Sequence, residues 1–273
     1  MQSIALPLIQ SFYKKRIPES HKGTYGHALL ISGNEGRMGA AVIASKACLK
    51  SGCGLLTVAI TFTERFILQT ILPEAMLIDK KKVIDFSLYS AIGVGPAIGL
   101  ENDSLNILKR IISSSKNPLV IDADGLTILS KNDEMLSELP PKTILTPHPK
   151  EFDRLFGEHS SREERIQTAI EKAKKLDVII VLKGNETILT NGTETYYNTT
   201  GNSGLAKGGS GDALTGIITS FLAQGYTPFN AAILGVYLHG LAADITLQTQ
   251  SEESLLISDV IDNLGKGFKK IIA

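Results

Sequence analysis

Short apolar segments alternate with longer segments of helical periodicity along most of the chain. The apolar segments are rich in β-branched residues, which are typical of strands. Six are predicted as strands: Ala28–Ser32, Leu55–Ile60, Ala91–Val94, Leu119–Ile121, Thr143–Leu145 and Val178–Leu182. Five helices are predicted: Ala40–Lys50, Ser104–Ser114, Arg162–Lys175, Asp212–Gln224 and Phe229–Thr249. This alternation indicates parallel βαβ units, with helices on both faces of the sheet.

A hairpin interrupts the alternation in the C-terminal half. Asn191-Gly192 stands between Thr187–Thr190 and Thr195–Tyr197, and this dipeptide is typical of a two-residue turn between antiparallel strands. The sequence contains no Pro- or Ser-rich linker, no low-complexity tract and no repeat of fixed period. We therefore expect one α/β domain over residues 1–273.

Charge and composition narrow the class of protein. The 28 Lys and Arg residues balance the 28 Asp and Glu residues, so net charge does not favour nucleic acid or an anionic membrane as a partner. The first eight residues lack the features of a secretory signal, and no apolar run reaches the ~18 residues of a membrane-spanning helix. Cys48 and Cys53 are too few for a disulfide framework, and we expect both to be buried thiols. These features predict a cytoplasmic protein.

Ligands of such sheets bind where strands end and helices begin, and the most informative of these junctions runs from Asn198 to Asp212. Gly208, Gly209 and Gly211 allow several backbone N–H groups to point to one place, and a helix N-terminus beside them favours an anion. No Gly-Lys-Ser/Thr ends the segment, so it is not a Walker A loop. Asp212 either complements the helix dipole or accepts a proton from a hydroxyl that attacks a bound phosphate.

Two other junctions carry polar side chains. Lys183 follows the most apolar predicted strand, where it could reach a phosphate or be solvated at the start of a hairpin. In Thr146-Pro-His-Pro-Lys-Glu151, two prolines restrict the backbone around His148, and the second suits the first position of a helix. His148 and Glu151 should therefore flank a helix start, either as functional groups or as structural ones.

At two glycine-rich junctions the sequence does not decide between a ligand-binding role and a purely structural one. In the segment 33–41, Gly39 and Ala40 would permit either the approach of a flat ligand or tight packing of a helix on a strand. The segment 93–99, Gly-Val-Gly-Pro-Ala-Ile-Gly, could present an open backbone edge or serve only to turn the chain. Asp124 is interpreted as a cap of the following helix, with a metal or substrate contact as the alternative. The absence of a Cys/His cluster and of Gly-x-Ser-x-Gly disfavours a transition-metal hydrolase and a serine esterase.

Taken together, these motifs resemble the ribokinase-like superfamily and, within it, the ADP/ATP-dependent NAD(P)H-hydrate dehydratases, which repair hydrated nicotinamide cofactors. The resemblance extends from His21-Lys-Gly-Thr-Tyr-Gly26 to Tyr237-Leu-His-Gly240. The motifs at 21–23, 146–151 and 183–187 discriminate this family, whereas Leu-Ala-Lys-Gly-Gly-Ser-Gly-Asp at 205–212 is shared broadly with the superfamily's kinases. Those kinases usually carry Asn where this chain has His148.

The resemblance implies a three-layer α/β/α sandwich with a mostly parallel central sheet. It implies a carbon–oxygen lyase that dehydrates the S form of hydrated NADH or NADPH, while ADP or ATP becomes AMP or ADP plus phosphate. Mg²⁺ would be the cofactor, and the assembly would be a homotetramer. Many relatives also carry an N-terminal epimerase domain. Because 273 residues leave no room for one, this chain is expected to be a stand-alone dehydratase.

Site residues follow from the same resemblance and from the junctions above. Asp212 would help the substrate hydroxyl attack the terminal phosphate. The residues expected to contact the hydrated cofactor are Ala40, Gly95, Gly99, His148 and Asp212. The residues expected to bind the nucleotide are Lys183, Gly184, Asn185, Glu186, Thr187, Gly208, Gly209 and Gly211. Glu151 is the candidate ligand for magnesium. One residue departs from the family loop Gly-Pro-Gly-Leu-Gly, because Ala97 places a methyl group at its middle glycine.

Two other functions remain as alternatives. A ribokinase-fold kinase of a small alcohol or vitamin precursor would share Asp212 and the glycine loop, but His148 and the segment 183–187 disfavour it. A non-catalytic nucleotide sensor would keep the fold, but would gain little from Asp212 beside an anion site.

Overall fold

The computed structural model describes residues 1–273 and places ten strands in one sheet. The strands are β1 (Gln2–Ser3), β2 (His27–Ile31), β3 (Leu55–Ile60), β4 (Met76–Asp79), β5 (Ala91–Val94), β6 (Leu119–Ile121), β7 (Ile144–Leu145), β8 (Ile179–Leu182), β9 (Ile188–Thr190) and β10 (Thr195–Tyr197). Their order across the sheet is β1-β10-β9-β8-β7-β6-β5-β2-β3-β4. Only β9 runs antiparallel to its neighbours, β8 and β10, so the predicted mostly parallel sheet is confirmed.

Helices cover both faces of this sheet. They are α1 (Leu6–Phe12), α2 (Met38–Lys50), α3 (Arg65–Ile71), α4 (Asn102–Ser114), α5 (Ala123–Leu129), α6 (Asp133–Ser137), α7 (Pro149–Phe156), α8 (Arg162–Leu176), α9 (Ser210–Ala223), α10 (Pro228–Thr246) and α11 (Ile257–Ile272). Leu30 packs into the core shared with α2, α9, α10 and α11, while Leu29 and Ile31 pack into the core shared with α4, α5, α7 and α8. Successive side chains of a strand point to opposite faces, so one strand contributes to both cores of the α/β/α sandwich.

All six predicted strands and all five predicted helices are present, with bounds that differ by at most three residues. The pattern missed the edge strands β1 and β4 and the helices α1, α3, α6 and α11, while α5 and α7 were expected only as helix starts after Asp122 and His148. The hairpin is confirmed, but its turn spans residues 191–194 rather than two residues. Asn191 Oδ1 accepts hydrogen bonds from the N–H groups of Thr193 and Glu194, and this local side-chain turn replaces the tighter one. Cys48 and Cys53 are buried free thiols, as expected.

One helix contradicts the expectation that no segment has the length and composition of a membrane span. Helix α10 has 19 residues, and its best 18-residue window has a mean hydropathy of 1.2. Within the fold, 78% of that window is buried, mainly against α9 and α11. A helix that is packed on all sides is apolar around its whole circumference, which accounts for this composition.

Helices α2 and α9 approach each other closely, and both begin at the same end of the sheet. A Cβ atom added to Gly216 in the middle of α9 would lie 2.0 Å from the carbonyl oxygen of Ala44 in α2. Only glycine therefore permits this separation of the two helices. Helix α9 also packs against β2, β5 and β6, so its N-terminus is held at the centre of the sheet edge.

We predict that Gly216→Ala destabilises the protein, although alanine is the better helix former, because the new methyl group must push α2 and α9 apart. Overpacking of this kind costs about 1–3 kcal/mol of unfolding free energy. Gly265→Ala in the exposed part of α11 is the matched control, since a methyl group added there would have no atom within 4 Å. The control should gain about 0.5–1 kcal/mol. Urea unfolding measures both changes, and equal effects of the two substitutions would contradict the interpretation.

Candidate functional site

A pocket of about 460 Å³ opens at the edge of the sheet where the parallel strands end. It lies between the ends of β7 and β8, the N-terminus of α9 and the middle of α10. Four of its 19 lining residues are hydrophobic, and most of the others are polar residues or glycines. Such a lining suits a polar ligand. Crevices at the carboxyl ends of parallel strands are the usual ligand sites of this architecture.

The N-terminus of α9 forms one wall of this pocket. Gly209 is its N-cap, in the left-handed region at φ 95°, and a Cβ there would lie 2.5 Å from Ile43 Cδ1. The backbone N–H of Ser210 donates to the carbonyl oxygen of Lys207 at 3.3 Å, and no side chain caps the helix, so the N–H groups of Gly211 and Asp212 are left without a side-chain acceptor. These donors and the helix dipole favour an anion. Binding of an anion at this helix start stays a prediction.

Asp212 lies in the first turn of α9, directly beyond Gly211. Burial of its carboxyl, followed by the negative charges of Asp122 and Asp124, raises its pKa from 3.8 to about 6. The positive charge of Lys183 opposes this rise. A carboxyl with this pKa is ionised at neutral pH and is basic enough to accept a proton during a reaction.

Lys183 is the cation at the centre of the site. Its Nζ lies 2.8 Å from Oδ1 of Asp122 and 3.8 Å from Oε2 of Glu151. Burial lowers the pKa of Lys183, but the charges of Asp122, Glu151 and Asp212 outweigh it, so the pKa is raised. The other oxygen of Asp122, Oδ2, accepts a hydrogen bond of 2.9 Å from the hydroxyl of Thr215 in α9.

His148 and Glu151 form a reciprocal cap at the start of α7. The backbone N–H of Glu151 donates to Nδ1 of His148 at 3.3 Å, and the backbone N–H of His148 donates to Oε2 of Glu151 at 2.9 Å. The prediction that the two residues flank a helix start is confirmed. Since Nδ1 accepts this bond, the neutral ring carries its proton on Nε2. His148 also lines the pocket.

The backbone conformation of the loop after β5 requires its glycines. Gly95 has φ 134°, and a Cβ there would lie 1.8 Å from the carbonyl oxygen of Asp122. Gly99 has φ 87°, and a Cβ there would lie 2.0 Å from Oε2 of Glu101. Ala97, between them, also adopts a left-handed conformation at φ 52°. The glycine usual at its position in the family therefore suits the conformation of the chain.

The interpretation of Asp124 as a helix cap is wrong. It lies inside the first turn of α5, whose N-cap is Asp122, and no side chain caps that helix. Oδ2 of Asp124 instead accepts a hydrogen bond of 2.9 Å from the backbone N–H of Gly99. Ala123 adopts φ 49°, so the backbone between the two aspartates is left-handed. Asp124 thus fastens the loop after β5 to the end of β6.

The structure distributes the predicted site residues over two sides of β6. Those that line the pocket are His148, Lys183, Gly184, Asn185, Thr187 and Gly211. Ala40, Gly95 and Gly99 belong to the junctions after β2 and β5, outside this pocket. The exposed side chain of Glu186 is bonded to Arg162 at 2.8 Å, and Gly208 faces open space.

Several pocket residues escaped the site prediction. They come from the segment before α9 and from α10: Asn198, Thr200, Gly201, Asn202, His239 and Gly240. Asp244 of α10 holds this segment by accepting hydrogen bonds from Gly201 N at 2.9 Å and Asn202 Nδ2 at 3.0 Å. Burial and the charge of Lys183 lower the pKa of His239 to about 4, so its ring is neutral. Its motif, Tyr237-Leu-His-Gly240, was the available signal.

The residues around Glu151 do not form a metal site by themselves. No three His, Cys, Asp or Glu side chains come together in an arrangement that could hold a metal ion. Mg²⁺, however, is commonly bound through one or two carboxylates together with substrate phosphates, so a nucleotide site does not require such a cluster. The carboxylate of Glu151 already faces the backbone N–H of His148 and the ammonium of Lys183. Its assignment to Mg²⁺ stays a prediction.

Comparisons with known proteins agree with this architecture. A sequence profile of the family described as NAD(P)H-hydrate dehydratase matches residues 28–265. The ADP-dependent (S)-NAD(P)H-hydrate dehydratase of Bacillus subtilis is 35% identical over 270 residues, which cover 96% of each chain. A bifunctional NAD(P)H-hydrate repair enzyme of Thermofilum pendens is 34% identical over 94% of this chain. The chain spans about half the length of such relatives, 52% in that case.

Structural comparison leads to the same family. The ADP/ATP-dependent NAD(P)H-hydrate dehydratase of Bacillus subtilis, co-crystallised with ATP and Mg²⁺, superimposes with a TM-score of 0.89 and 31% identity over 99% of this chain and 98% of that one. The predicted ribokinase-like fold is therefore confirmed. With the profile match, the sequence relatives and this superposition in agreement, the chain belongs to the NAD(P)H-hydrate dehydratase family.

Proposed function

We propose that this protein dehydrates the S form of hydrated NADH or NADPH, while ADP or ATP is converted to AMP or ADP plus phosphate. The observation that carries the proposal is the position of Asp212. Its buried carboxyl, with a pKa of about 6, lies at the N-terminus of α9, beside the pocket that contains Lys183 and Gly211. A base next to an anion site is the arrangement that phosphorylation of a hydroxyl group requires.

The two sides of β6 suit the two substrates. The pocket beside β7 and β8 would hold the nucleotide, with its phosphates at Lys183 and the first N–H groups of α9. The start of α2, which contains Ala40, and the loop after β5, which contains Gly95 and Gly99, would hold the hydrated cofactor. Charged groups from both regions act on Asp212: Lys183 of the pocket, and Asp124, which binds Gly99 of the loop after β5. The hydroxyl of the hydrate would then meet the terminal phosphate beside this carboxylate.

The reaction follows from that geometry. The hydroxyl oxygen attacks the terminal phosphorus, its proton passes to Asp212, and the bond between phosphorus and the leaving nucleotide breaks. Hydroxide is a poor leaving group and phosphate is a better one, so phosphorylation activates the carbon–oxygen bond. Loss of phosphate and of a proton from the adjacent ring carbon restores the double bond of the dihydronicotinamide.

The remaining side chains orient the reacting groups. Lys183 offsets the negative charge of the transferring phosphoryl group, and positioning and charge stabilisation supply most of the catalysis in phosphoryl transfer. His148 lines the pocket, with its Nε2 at 3.5 Å from Oε1 of Glu151, and a proton on Nε2 can be donated to that carboxylate or to a substrate oxygen. Mg²⁺ bound to the phosphates, with Glu151 as the candidate protein ligand, would neutralise part of their charge.

We also propose a homo-oligomer, a tetramer by family resemblance. Phe66 and Ile71 of α3 are 62% and 55% exposed, and Ile67 of the same helix is 37% exposed. Exposed apolar clusters of this kind are typical of surfaces that a partner covers.

The proposed function is tested by absorbance in the dihydronicotinamide band. Protein, Mg²⁺ and hydrated NADH are mixed with ADP and, separately, with ATP. A rise that requires a nucleotide supports the dehydratase and identifies the nucleotide used. A flat trace with both nucleotides, in protein that binds them, would overturn the proposal in favour of the small-alcohol kinase.

We predict that Asp212→Asn abolishes turnover, because the amide cannot accept the hydroxyl proton. Removal of a general base lowers kcat by about 10²–10⁴-fold. Binding of the nucleotide should change by less than about tenfold, since Lys183 and the N–H groups of α9 remain. The absorbance assay measures the first effect and calorimetry the second. Unchanged turnover would refute the role of Asp212 as the base.

We also predict that Asp212→Asn stabilises the folded protein at neutral pH. The pKa of Asp212 is about 6 when folded and near 3.8 when unfolded, so the folded state loses stability as pH rises between these values. Above pH 6 the buried charge costs on the order of 1–3 kcal/mol, and the substitution removes it. The Tm difference between variant and wild type should be positive at pH 7 and vanish near pH 3.5. A difference independent of pH would contradict the raised pKa.

A further inference from the structure

The carboxylate of Asp122 has no part in the mechanism above, yet it is the most deeply buried charged group of the site. The residue is 1% exposed and follows the last residue of β6. It occupies the N-cap position of α5 without capping that helix. A buried charge is unfavourable unless it is paired, so its partners indicate its role.

Both oxygens of this carboxylate bind groups from other elements. Oδ1 accepts a hydrogen bond of 2.8 Å from Nζ of Lys183, which follows β8. Oδ2 accepts a hydrogen bond of 2.9 Å from the hydroxyl of Thr215, one turn after Gly211 in α9. The Asp122 carboxylate therefore links the end of β8 to the helix N-terminus that forms the anion site.

This link determines where the Lys183 ammonium lies. A lysine side chain has four flexible methylene groups, and its position is poorly defined without an anchor. Here Nζ lies so close to α9 that a Cβ added to Gly211 would be 3.2 Å from it and 3.3 Å from Oδ2 of Asp122. The side chain of Lys183 is 19% exposed, so the held ammonium remains accessible from the pocket.

We propose that Asp122 is a positioning residue of the reaction: it holds the Lys183 ammonium against the N-terminus of α9, where the terminal phosphate must lie for transfer. The inference rests on the proposed function for the identity of the reaction. Asp122 itself touches neither substrate in this arrangement and acts through Lys183.

Charge provides an independent readout of the same arrangement. The charged groups that act on Asp212 are Asp122 and Asp124 at the end of β6 and Lys183 at the end of β8. Glu151 acts on the same lysine. Asp122 is the charged group with the largest effect, and it raises the pKa of Asp212. Removing its charge should therefore lower that pKa, which reports that Asp122 is ionised and close enough to act on the reacting carboxylate.

The test is a double-mutant cycle of Asp122→Asn and Lys183→Met. Asp122→Asn should lower kcat about tenfold or more, with a smaller change in KM for the nucleotide, because a misplaced ammonium affects the transition state most. In the Lys183→Met background the same substitution should change kcat by less than about twofold. Losses that multiply across the two substitutions would overturn the proposal.

The pH profile of kcat/KM for the hydrated cofactor supplies the second readout. Its acidic limb should move to lower pH in Asp122→Asn. Asp153→Asn is the matched control, because that carboxylate is also bound by a cation, Arg165 at 2.7 Å, but faces α8. The control should leave the limb in place. An unmoved limb in Asp122→Asn would contradict the proposal.

A second variant covers the case in which Asp122→Asn does not fold. If Asp122→Asn fails to fold, as judged by thermal unfolding, Thr215→Val replaces it, since it removes only the hydroxyl that holds Oδ2. It should lower kcat in the wild-type background and have no effect on kcat in the Lys183→Met background.

If the wild type does not turn over hydrated cofactor, the proposed function fails separately, and the cycle is measured on the affinity for Mg–ADP. An effect of Asp122→Asn that disappears in the Lys183→Met background supports the positioning role. An effect that persists there refutes it.

Discussion

The site depends on one electrostatic constraint: several carboxylates share a single buried ammonium. Asp122 and Glu151 both face Lys183, and Asp212 and Asp124 add further negative charge nearby. Burial is the largest cause of the raised pKa of Asp212, and the negative charges of Asp122 and Asp124, which one cation cannot neutralise, raise it further. The same excess of negative charge would repel a bare phosphate chain. It therefore favours a nucleotide whose charge is reduced by a bound cation, in agreement with the ATP and Mg²⁺ used with the Bacillus subtilis relative.

The constraint is built from packing far from the pocket. Helix α9 can present its N-terminus to Lys183 because Gly216 allows α2 to approach it closely. The parallel order of β8, β7 and β6 then brings Lys183 and Asp122 to the same edge of the sheet. Residues 61 positions apart in the chain thereby form an ion pair at 2.8 Å. The electrostatic character of the site is thus a consequence of sheet topology and of one close helix contact.

The sequence predicted the interior of the fold better than its edges. Buried parallel strands are continuously apolar and were recognised, whereas β1, with two exposed residues, and β4, half-buried, lack that signal. Of the predicted site residues, Lys183, which directly follows β8, and His148, three residues after the end of β7, do line the pocket. It missed Asn202 and His239, because a loop and the middle of a helix reach the pocket only through tertiary packing. The cap assigned to Asp124 failed because α5 begins at Ala123, so Asp124 lies inside its first turn and its carboxylate binds the N–H of Gly99 instead.

The left-handed conformation of Ala97 has a consequence for how the loop after β5 can change during evolution. A non-glycine residue in this region costs about 1 kcal/mol, so a glycine-to-alanine exchange at this position is a matter of backbone strain. Ala97 shows that this fold tolerates that cost while Gly95 and Gly99, whose added methyl groups would collide with Asp122 and Glu101, stay fixed. We therefore expect substitution to be tolerated at the centre of this loop and least tolerated at Gly95, where the added methyl group would meet backbone rather than a side chain that can move. Divergent relatives should be recognised by the outer glycines of the loop, whatever residue stands between them.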